Sequence, residues 1–278
     1  MQDALTADGS VWSARFGPYA FGVAMPAEFG EVRRPWHGPM AASLALCFRG
    51  VRTDSVATDV LTHFEQLDAE RFSFSATCCA GTGDWTTGLG QLVLHDGRQD
   101  RRVRVTMLHE ALFAACYAWL LPRGGLLLHA ATLWIDGRAY VVPGPSTAGK
   151  STLSARFSPN WWSDEHAFLE REGDTWHVLR HPEFRANPGD FPWRAPLAGL
   201  LWLGPDRSVS RLTPMSRGRA AQVILPQALL AGSVTSAFVL DSVAHLCEDV
   251  PVAELSHCLA TPLCDLATVI AGVGDVRA

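Results

Sequence analysis

One stretch decides the fold of this chain: Leu126-Leu127-Leu128-His129-Ala130-Ala131, then Asp136-Gly137, then Tyr140-Val141-Val142-Pro143-Gly144-Pro145-Ser146-Thr147-Ala148-Gly149-Lys150-Ser151-Thr152. Its segment 144–151 fits G-x-x-x-x-G-K-[ST], the pattern of phosphate-binding loops. In such a loop, glycines let successive backbone N–H groups point at phosphate oxygens, and the following helix adds the positive end of its dipole. Lys150 can then reach the β- and γ-phosphates, and the Ser151 hydroxyl can bind Mg²⁺.

The context of the motif supports a phosphate loop. Apolar β-formers at 139–142 come just before it, and 151–157 can continue as a helix, so the motif has the strand before and the helix after that it requires. Lys150 is also the only lysine in the chain, so the compact ammonium that such a loop uses occurs only where the motif places it. The alternative is a glycine-rich turn that binds nothing.

The strand that leads into the motif is predicted to be half of a hairpin. Residues 126–134 and 138–143 read as two strands around the turn Asp136-Gly137. In most proteins with this motif, helical crossovers join the first strand to its sheet. Here we expect an antiparallel partner immediately before the motif.

Length and composition exclude several classes of protein. The 278 residues suffice for one large domain or two smaller ones, and 48% hydrophobic with 18% charged residues is typical of a globular protein. A net charge of −5 gives no electrostatic case for binding nucleic acid. An odd number of cysteines, seven, without any CxxC pair favours reduced thiols in a cytoplasmic protein and disfavours zinc. No apolar run reaches the roughly 18–20 residues of a membrane helix.

The region before the hairpin is predicted to be rich in β-structure. Residues 1–54 suggest short strands and loops, and the strands expected at 55–66, 71–77, 88–94 and 101–105 would form a small antiparallel sheet. Cys78-Cys79 reads as a strand end. Residues 106–121 predict an apolar helix that ends at Pro122. We therefore place a domain boundary at 122–125, giving a region 1–124 and a domain 125–278.

Paired carboxylates follow the motif at Ser163-Asp164-Glu165. Such a pair can hold Mg²⁺ and accept a proton from an attacking hydroxyl, whereas an isolated Asp-Glu pair is usually a solvated turn. Beyond it the sequence predicts strands at 167–170, 175–180, 197–203 and 266–270, helices at 216–230 and 236–247, and a short helix or strand at 251–255. A proline-rich loop at 182–196 holds Glu183, Arg185 and Arg194.

These elements together resemble a known family. His129 before a hairpin, then Gly-Pro-Ser-x-Ala-Gly-Lys-Ser-Thr-Leu, then Ser-Asp-Glu, is similar to HPr kinase/phosphorylase and its shorter bacterial relatives, some of which accompany peptide natural-product clusters, including lasso peptide kinases. The resemblance implies an α/β (α+β) fold with a P-loop core on a mixed sheet of the HPr kinase and phosphoenolpyruvate carboxykinase type, preceded by a β-rich N-terminal region. It also implies transfer of phosphate from ATP to a serine hydroxyl.

The resemblance assigns roles to particular residues. Asp164 would take the proton of the acceptor, and His129 matches an active-site histidine, although composition alone favours a core histidine there. Ser151, Glu165 and Glu183 would bind Mg²⁺, and Arg185 or Arg194 could contact phosphate or acceptor. The triphosphate would lie on Gly144, Pro145, Ser146, Thr147, Ala148, Gly149, Lys150, Ser151 and Thr152.

The chain departs from the family pattern in four places, one of which is Glu165, where the family has a second aspartate. Thr147 stands where the family usually has glycine, which would be costly if that position required a positive φ. The interval from Lys150 to Asp164 is short, implying a shorter helix. The C-terminal segment of full-length HPr kinases is not recognisable, so HPr itself is a doubtful acceptor.

The sequence therefore predicts an ATP- and Mg²⁺-dependent kinase that phosphorylates a serine or threonine hydroxyl of a peptide or protein. The alternatives are a small-molecule kinase on the same scaffold and a nucleotide-binding regulatory module without catalysis. No nucleic acid or membrane partner is expected. The sequence leaves open a homo-oligomer and the choice between ATP and GTP.

Overall fold

The computed structural model describes residues 9–16, 19–26, 44–53, 63–66, 71–76, 79–84, 89–95, 116–117, 119–180, 192–228 and 233–275. The chain divides into two compact units. The first comprises 1–119 with 231–236, and the second comprises 120–230 with 237–278. The fold is mixed α+β with a sheet-rich core.

The first unit contains a seven-stranded sheet with the order β1-β2-β3-β7-β6-β5-β4. The pairs β2–β3 and β3–β7 are parallel, and the other neighbours are antiparallel. Its strands are β1 Gly9–Phe16, β2 Tyr19–Pro26, β3 Leu44–Thr53, β4 His63–Gln66, β5 Arg71–Ala76, β6 Cys79–Asp84 and β7 Leu89–His95.

The antiparallel meander predicted in this region is confirmed for β4 to β7. Cys79 begins a strand rather than ending one, because the glycines that follow it face the buried rings of β5. A Cβ at Gly83 would lie 2.2 Å from the Phe72 ring, so only glycine leaves room for that ring across the strand. The predicted strand 101–105 and most of the predicted helix 106–121 lie outside the described residues.

The second unit carries the motif. Its strands are β8 Leu126–Ile135, β9 Arg138–Pro143, β10 Trp161–Ser163, β11 His166–Glu172, β12 Thr175–Leu179, β13 Arg194–Leu203, β14 Arg211–Pro214 and β15 Val252–Ser256. Its helices are α1 Lys150–Arg156, α2 Arg217–Ile224, α3 Ser233–Asp249, whose first turn falls in the other unit, and α4 Leu263–Ala271. Short 3₁₀ turns occupy Leu121–Arg123, Leu225–Gln227 and Gly272–Asp275.

The strand pairings of this unit close a ring. β8 pairs with β9, β9 with β13, β13 with β12, β12 with β11, and β11 with β8. β9, β13 and β15 run parallel to one another, and the ring pairs that involve β8 or β12 are antiparallel. This mixed sheet agrees with the predicted fold class.

The predicted hairpin before the motif is confirmed. β8 and β9 pair from Ala130 with Pro143 to Ile135 with Arg138. The turn residues Asp136 and Gly137 adopt φ of 48° and 79°, the two positive values that a type I′ turn requires. Aspartate and glycine tolerate this region better than other residues, so the local sequence fixes the turn.

β8 pairs along both of its edges. On one edge Leu126 to His129 pair with β11 and Thr132 to Leu133 pair with β10, and on the other edge Ala130 to Ile135 pair with β9. The loop 144–151 leaves the end of β9, and the turn at 164–165 precedes β11. Both segments therefore start next to His129 and Ala130.

Alternating strand residues and one helix face build the core beside the motif. Residues of β8, β9, β13 and β15 at period two meet Leu153 and Phe157 of α1. The buried members are Ala131, Leu133, Ile135, Tyr140, Val142, Leu201, Leu203, Ala253, Leu255, Leu266, Ile270 and Val273, with these two helix residues. The helix thus packs flat on the sheet and its first residue lies at the sheet's edge.

The strand predicted at 266–270 is wrong, because this segment is the helix α4. Leu266, Ile270 and Val273 are buried at spacings of four and three, which is the period of a helix rather than of a strand. β13 also begins three residues earlier than predicted, at Arg194, because this part of the chain pairs with β12. The segment predicted as a short helix or strand at 251–255 is the strand β15, Val252–Ser256, and Pro226 lies in the 3₁₀ turn after α2.

Within the described ranges, no helix combines the length and the apolar character needed to cross a membrane.

The packing of α4 gives a stability prediction. Ile270 is fully buried and Leu263, on the same helix, is 42% exposed. Ile270→Ala should lower the free energy of unfolding by about 2–5 kcal/mol, because it leaves a cavity, and Leu263→Ala should change it by less than about 1 kcal/mol. Urea unfolding followed by circular dichroism measures both. Equal losses in the two variants would contradict the helical packing.

Candidate nucleotide-binding site

The loop Gly144 to Ser151, here called the motif loop, is anchored at both ends. Its first N–H, that of Gly144, donates to the His129 carbonyl at 3.3 Å, and the N–H of Ala148 donates to the Pro145 carbonyl at 3.0 Å. Gly149 has φ of 97° immediately before α1, a conformation that favours glycine. Thr147 does not have a positive φ, so the cost considered for threonine at this place does not arise.

Lys150 turns back into the motif loop. Its Nζ donates to the carbonyl of Gly144 at 2.5 Å and to that of Pro145 at 2.9 Å, and lies 3.3 Å from Nε2 of His129. The residue is only 4% exposed. An ammonium group donates only, so His129 accepts at Nε2 as a neutral imidazole with its proton on Nδ1.

The contact between Lys150 and His129 follows from the packing of α1 on β8. Lys150, Leu153 and Phe157 share one face of the helix, and this face covers the sheet. His129 lies on the same face of β8 as Ala131 and Leu133, because these positions alternate along the strand. The helix therefore brings its first residue over the histidine.

Burial sets the electrostatics of this pair. It lowers the pKa of the Lys150 ammonium, and the charges of Asp164 and Glu165 oppose this shift without cancelling it. Burial also lowers the pKa of His129, and the positive charge of Lys150 and the neighbouring His166 act in the same direction. These causes favour a neutral His129 beside Lys150.

The acidic turn, Asp164-Glu165, is held by backbone hydrogen bonds beside the motif loop. The carbonyl of Glu165 accepts from the N–H of Ala130 at 3.0 Å. The Ser163 hydroxyl accepts from the N–H groups of Glu165 at 3.2 Å and of His166 at 3.0 Å. Oδ1 of Asp164 is buried and has no hydrogen-bond partner in the described part of the chain. An unpartnered buried carboxylate oxygen is costly unless a ligand or proton completes it.

The donors present fit a Mg²⁺ ion that is completed by substrate. No cluster of three or more His, Cys, Asp or Glu side chains able to hold a metal occurs among the residues that the structure describes. Mg²⁺ usually takes one or two carboxylates together with phosphates and waters, rather than a full protein cage. The exposed Ser151 and Glu165 suit that mode, and the unpartnered oxygen of Asp164, next to Glu165, is left open to a ligand or a proton. Glu183 lies outside the described residues.

The structure does not bring Arg194 to the motif loop or to the acidic turn. Arg194 begins β13, and its guanidinium pairs with Glu170 at 2.8 Å and with Glu172 at 2.6 Å. The motif loop lies at the opposite end of β13, because β13 and β9 are parallel and the loop leaves the end of β9. Arg185 lies outside the described residues, so its suggested contact stays a prediction.

Sequence reasoning missed two residues beside the motif loop. Nη2 of Arg207, between β13 and β14, donates to the carbonyl of Ala148 at 3.4 Å. Nη1 of Arg207 lies 3.1 Å from Nδ1 of His257, which follows β15 and is 2% exposed. The available signal was topological: β9, β13 and β15 are parallel neighbours, so the residues after their carboxyl ends meet at one edge.

The arrangement suits an anion with several oxygens. One ammonium and a glycine-containing loop, which a guanidinium contacts at the carbonyl of Ala148, lie on one side, and two carboxylates that can hold a cation lie on the other. No protein-family model and no curated protein sequence matches this chain. A solved structure of the HPr(Ser) kinase/phosphatase from Coxiella burnetii aligns with 12% identity and a TM-score of 0.30, covering 52% of this chain and 93% of that one. A likeness of this strength is too weak to indicate a function.

The single lysine allows a direct test of the buried ammonium. Reductive methylation with ¹³C-formaldehyde labels only Lys150 and the α-amine, and Lys150→Arg identifies the lysine signal by its loss. Because burial penalises the charged form, this signal should titrate below the value of about 10.4 that a solvated lysine shows. NMR between pH 7 and 12 measures the titration. A midpoint at or above the solvated value would contradict the buried geometry.

The histidines give a pH prediction. Burial lowers the pKa of His129, His177 and His257 in the folded protein. The unfolded chain then binds more protons below about pH 6.5, so the free energy of unfolding should fall as the pH drops from 6.5 toward the folded pKa values. Urea unfolding at pH 7.5, 6.5 and 5.5 measures this. His129→Gln should show a smaller fall than the wild type, and an equal fall would remove His129 from this linkage.

Proposed function

We propose that this chain is an ATP- and Mg²⁺-dependent phosphotransferase that acts on a hydroxyl group, with serine or threonine of a peptide or protein as acceptor. The observation that carries the proposal is the position of Lys150. The only lysine of the chain is buried at the end of a motif loop, against His129, with an acidic turn on the neighbouring strand.

Nucleotide binding would exchange the partners of Lys150. Its Nζ now contacts two carbonyls of the motif loop and one imidazole, all of them neutral acceptors. A phosphate oxygen is a charged acceptor and forms shorter and stronger hydrogen bonds with an ammonium group. The lowered pKa of Lys150 supports this exchange, because an anion restores the stability of the charged form.

Asp164 is suited to receive a proton. Its buried Oδ1 lacks a hydrogen-bond partner among the described residues, so it is available to the hydroxyl of an acceptor. As the acceptor oxygen forms a bond to the γ-phosphorus, its proton passes to Asp164, and the bond from the γ-phosphorus to the β–γ bridging oxygen breaks. The products are the phosphorylated acceptor and ADP. Positioning and charge stabilisation carry the rate of such transfers.

Ser151 and Glu165 would hold Mg²⁺, together with Glu183, which lies outside the described residues. When bound, this ion neutralises charge that develops on the β- and γ-phosphates. What supports a peptide acceptor is the resemblance of His129, the motif loop and Ser163-Asp164-Glu165 to HPr kinase relatives.

Two variants separate binding from transfer. Lys150→Ala should weaken ATP binding and lower transfer by at least about 100-fold, because the phosphates lose their ammonium. Asp164→Asn should keep ATP binding within about threefold and lower transfer by roughly 10²–10⁴-fold, because the amide cannot accept the proton. Calorimetry with Mg·ATP measures binding. Transfer of ³²P from ATP to arrayed peptides with a single serine or threonine, and to a pool of small alcohols, measures activity.

Asp174→Asn is the matched control, because Asp174 is a fully exposed aspartate in the turn between β11 and β12. It should behave as the wild type. Transfer to the alcohols but not to the peptides would replace the peptide acceptor by a small molecule. ATP binding without any transfer would leave a nucleotide-binding module, and undiminished transfer in Asp164→Asn would remove the role given to Asp164.

A further inference from the structure

Arg207 contacts the motif loop from the outer side. Its Nη2 donates to the carbonyl of Ala148 at 3.4 Å, and its Nη1 donates to the carbonyl of Gly204 at 2.7 Å. A Cβ built on Gly149 would lie 3.8 Å from Nη2. The guanidinium therefore lies against the peptide that joins Ala148 to Gly149.

The orientation of this peptide decides where its N–H points. In a trans peptide the C=O and the N–H of the same unit point in opposite directions. Because the carbonyl of Ala148 faces Arg207, the N–H of Gly149 points toward the other side of the loop. That N–H has no hydrogen-bond acceptor within the described ranges, whereas the N–H of Ala148 is occupied by the Pro145 carbonyl. A free N–H on the inner side is what an anion nest needs.

His257 holds the guanidinium in place. It is 2% exposed, and its Nδ1 lies 3.1 Å from Nη1 of Arg207. An arginine only donates, so Nδ1 accepts and the imidazole carries its proton on Nε2. Burial lowers the pKa of His257, and the charges of Arg207 and Arg156 lower it further, so the neutral acceptor is favoured. The guanidinium of Arg207 thus contacts two acceptors, the buried Nδ1 of His257 and the carbonyl of Ala148 in the motif loop.

We propose that Arg207, held by His257, is a positioning residue, an inference that rests on the proposed function. Arg207 fixes the orientation of the Ala148–Gly149 peptide so that the N–H of Gly149 donates to a bound polyphosphate. Arg207 acts through the peptide and does not itself contact the phosphate, because it lies on the carbonyl side. The role requires the planar fork of arginine, which reaches two carbonyls and an imidazole at once. A lysine at this position would keep the charge and lose that geometry.

The test measures binding of two probes, inorganic tripolyphosphate and Mg·ADP, by calorimetry, together with the Gly149 amide in ¹⁵N-glycine-labelled protein. Gly149→Ala identifies the amide signal by its loss. In the wild type, tripolyphosphate should move the Gly149 proton downfield, because the N–H gains a charged acceptor. Arg207→Gln and Arg207→Lys should both reduce this shift and weaken both probes by roughly tenfold, the worth of about one charge-assisted hydrogen bond.

Matched variants separate positioning from folding and from charge. Arg211→Gln removes an arginine that is 62% exposed on β14, and it should leave shift and affinity unchanged. His257→Asn retains an acceptor and should preserve most of the affinity, whereas His257→Leu should behave like Arg207→Gln. Thermal melting of each variant checks that it is folded, and if His257→Leu does not fold, the two Arg207 variants and His257→Asn still decide.

Two results overturn the positioning role. Wild-type affinity and shift in Arg207→Lys would mean that charge alone matters, and unchanged values in Arg207→Gln would remove Arg207 altogether. The proposed kinase fails separately: a wild type that binds tripolyphosphate and responds to the Arg207 variants, yet transfers no phosphoryl group, retains the positioning role and loses the activity. A wild type that binds neither probe overturns both.

Discussion

Two backbone hydrogen bonds on either side of β8 place the whole candidate site. The carbonyl of His129 accepts from Gly144 at the start of the motif loop, and the N–H of its neighbour, Ala130, donates to Glu165 in the acidic turn. Consecutive residues of a strand direct their backbone groups to opposite sides, so one point on one strand fixes two segments that are distant in sequence. The motif loop with Lys150 and the acidic turn with Asp164 are therefore separated by the width of one strand, β8.

Because the ammonium of Lys150 is buried, its stability depends on the charges that lie near it. Lys150 is satisfied by loop carbonyls and His129 while no anion is present, and each of these partners is neutral. The site therefore holds a buried positive charge, and the nearby carboxylates of Asp164 and Glu165 offset the cost of its burial only in part. Such a charge is costly in a protein interior, and an entering anion removes that cost.

Local patterns in the sequence were sufficient to predict the hairpin before the motif and the helix after it. Asp136-Gly137 fixes its turn through backbone conformations that few residues tolerate, and the motif fixes a glycine before a helix. Patterns failed where distant packing decides: residues 266–270 form a helix because Leu266 and Ile270 pack on the sheet. Arg207 could not be found in this way, since it lies 59 residues after Ala148 and reaches the loop only through the parallel order of β9 and β13.

The ring of strands described above has a mechanical consequence. In a closed ring of five strands, no two neighbouring strands can separate unless the hydrogen bonds of another strand pair in the ring also break. The segments that pair with β8 on its two edges are therefore held by the ring. The connections after the carboxyl ends of β9, β13 and β15 lie outside it, and the contacts of Arg207 with Ala148 and His257 join these three connections to one another.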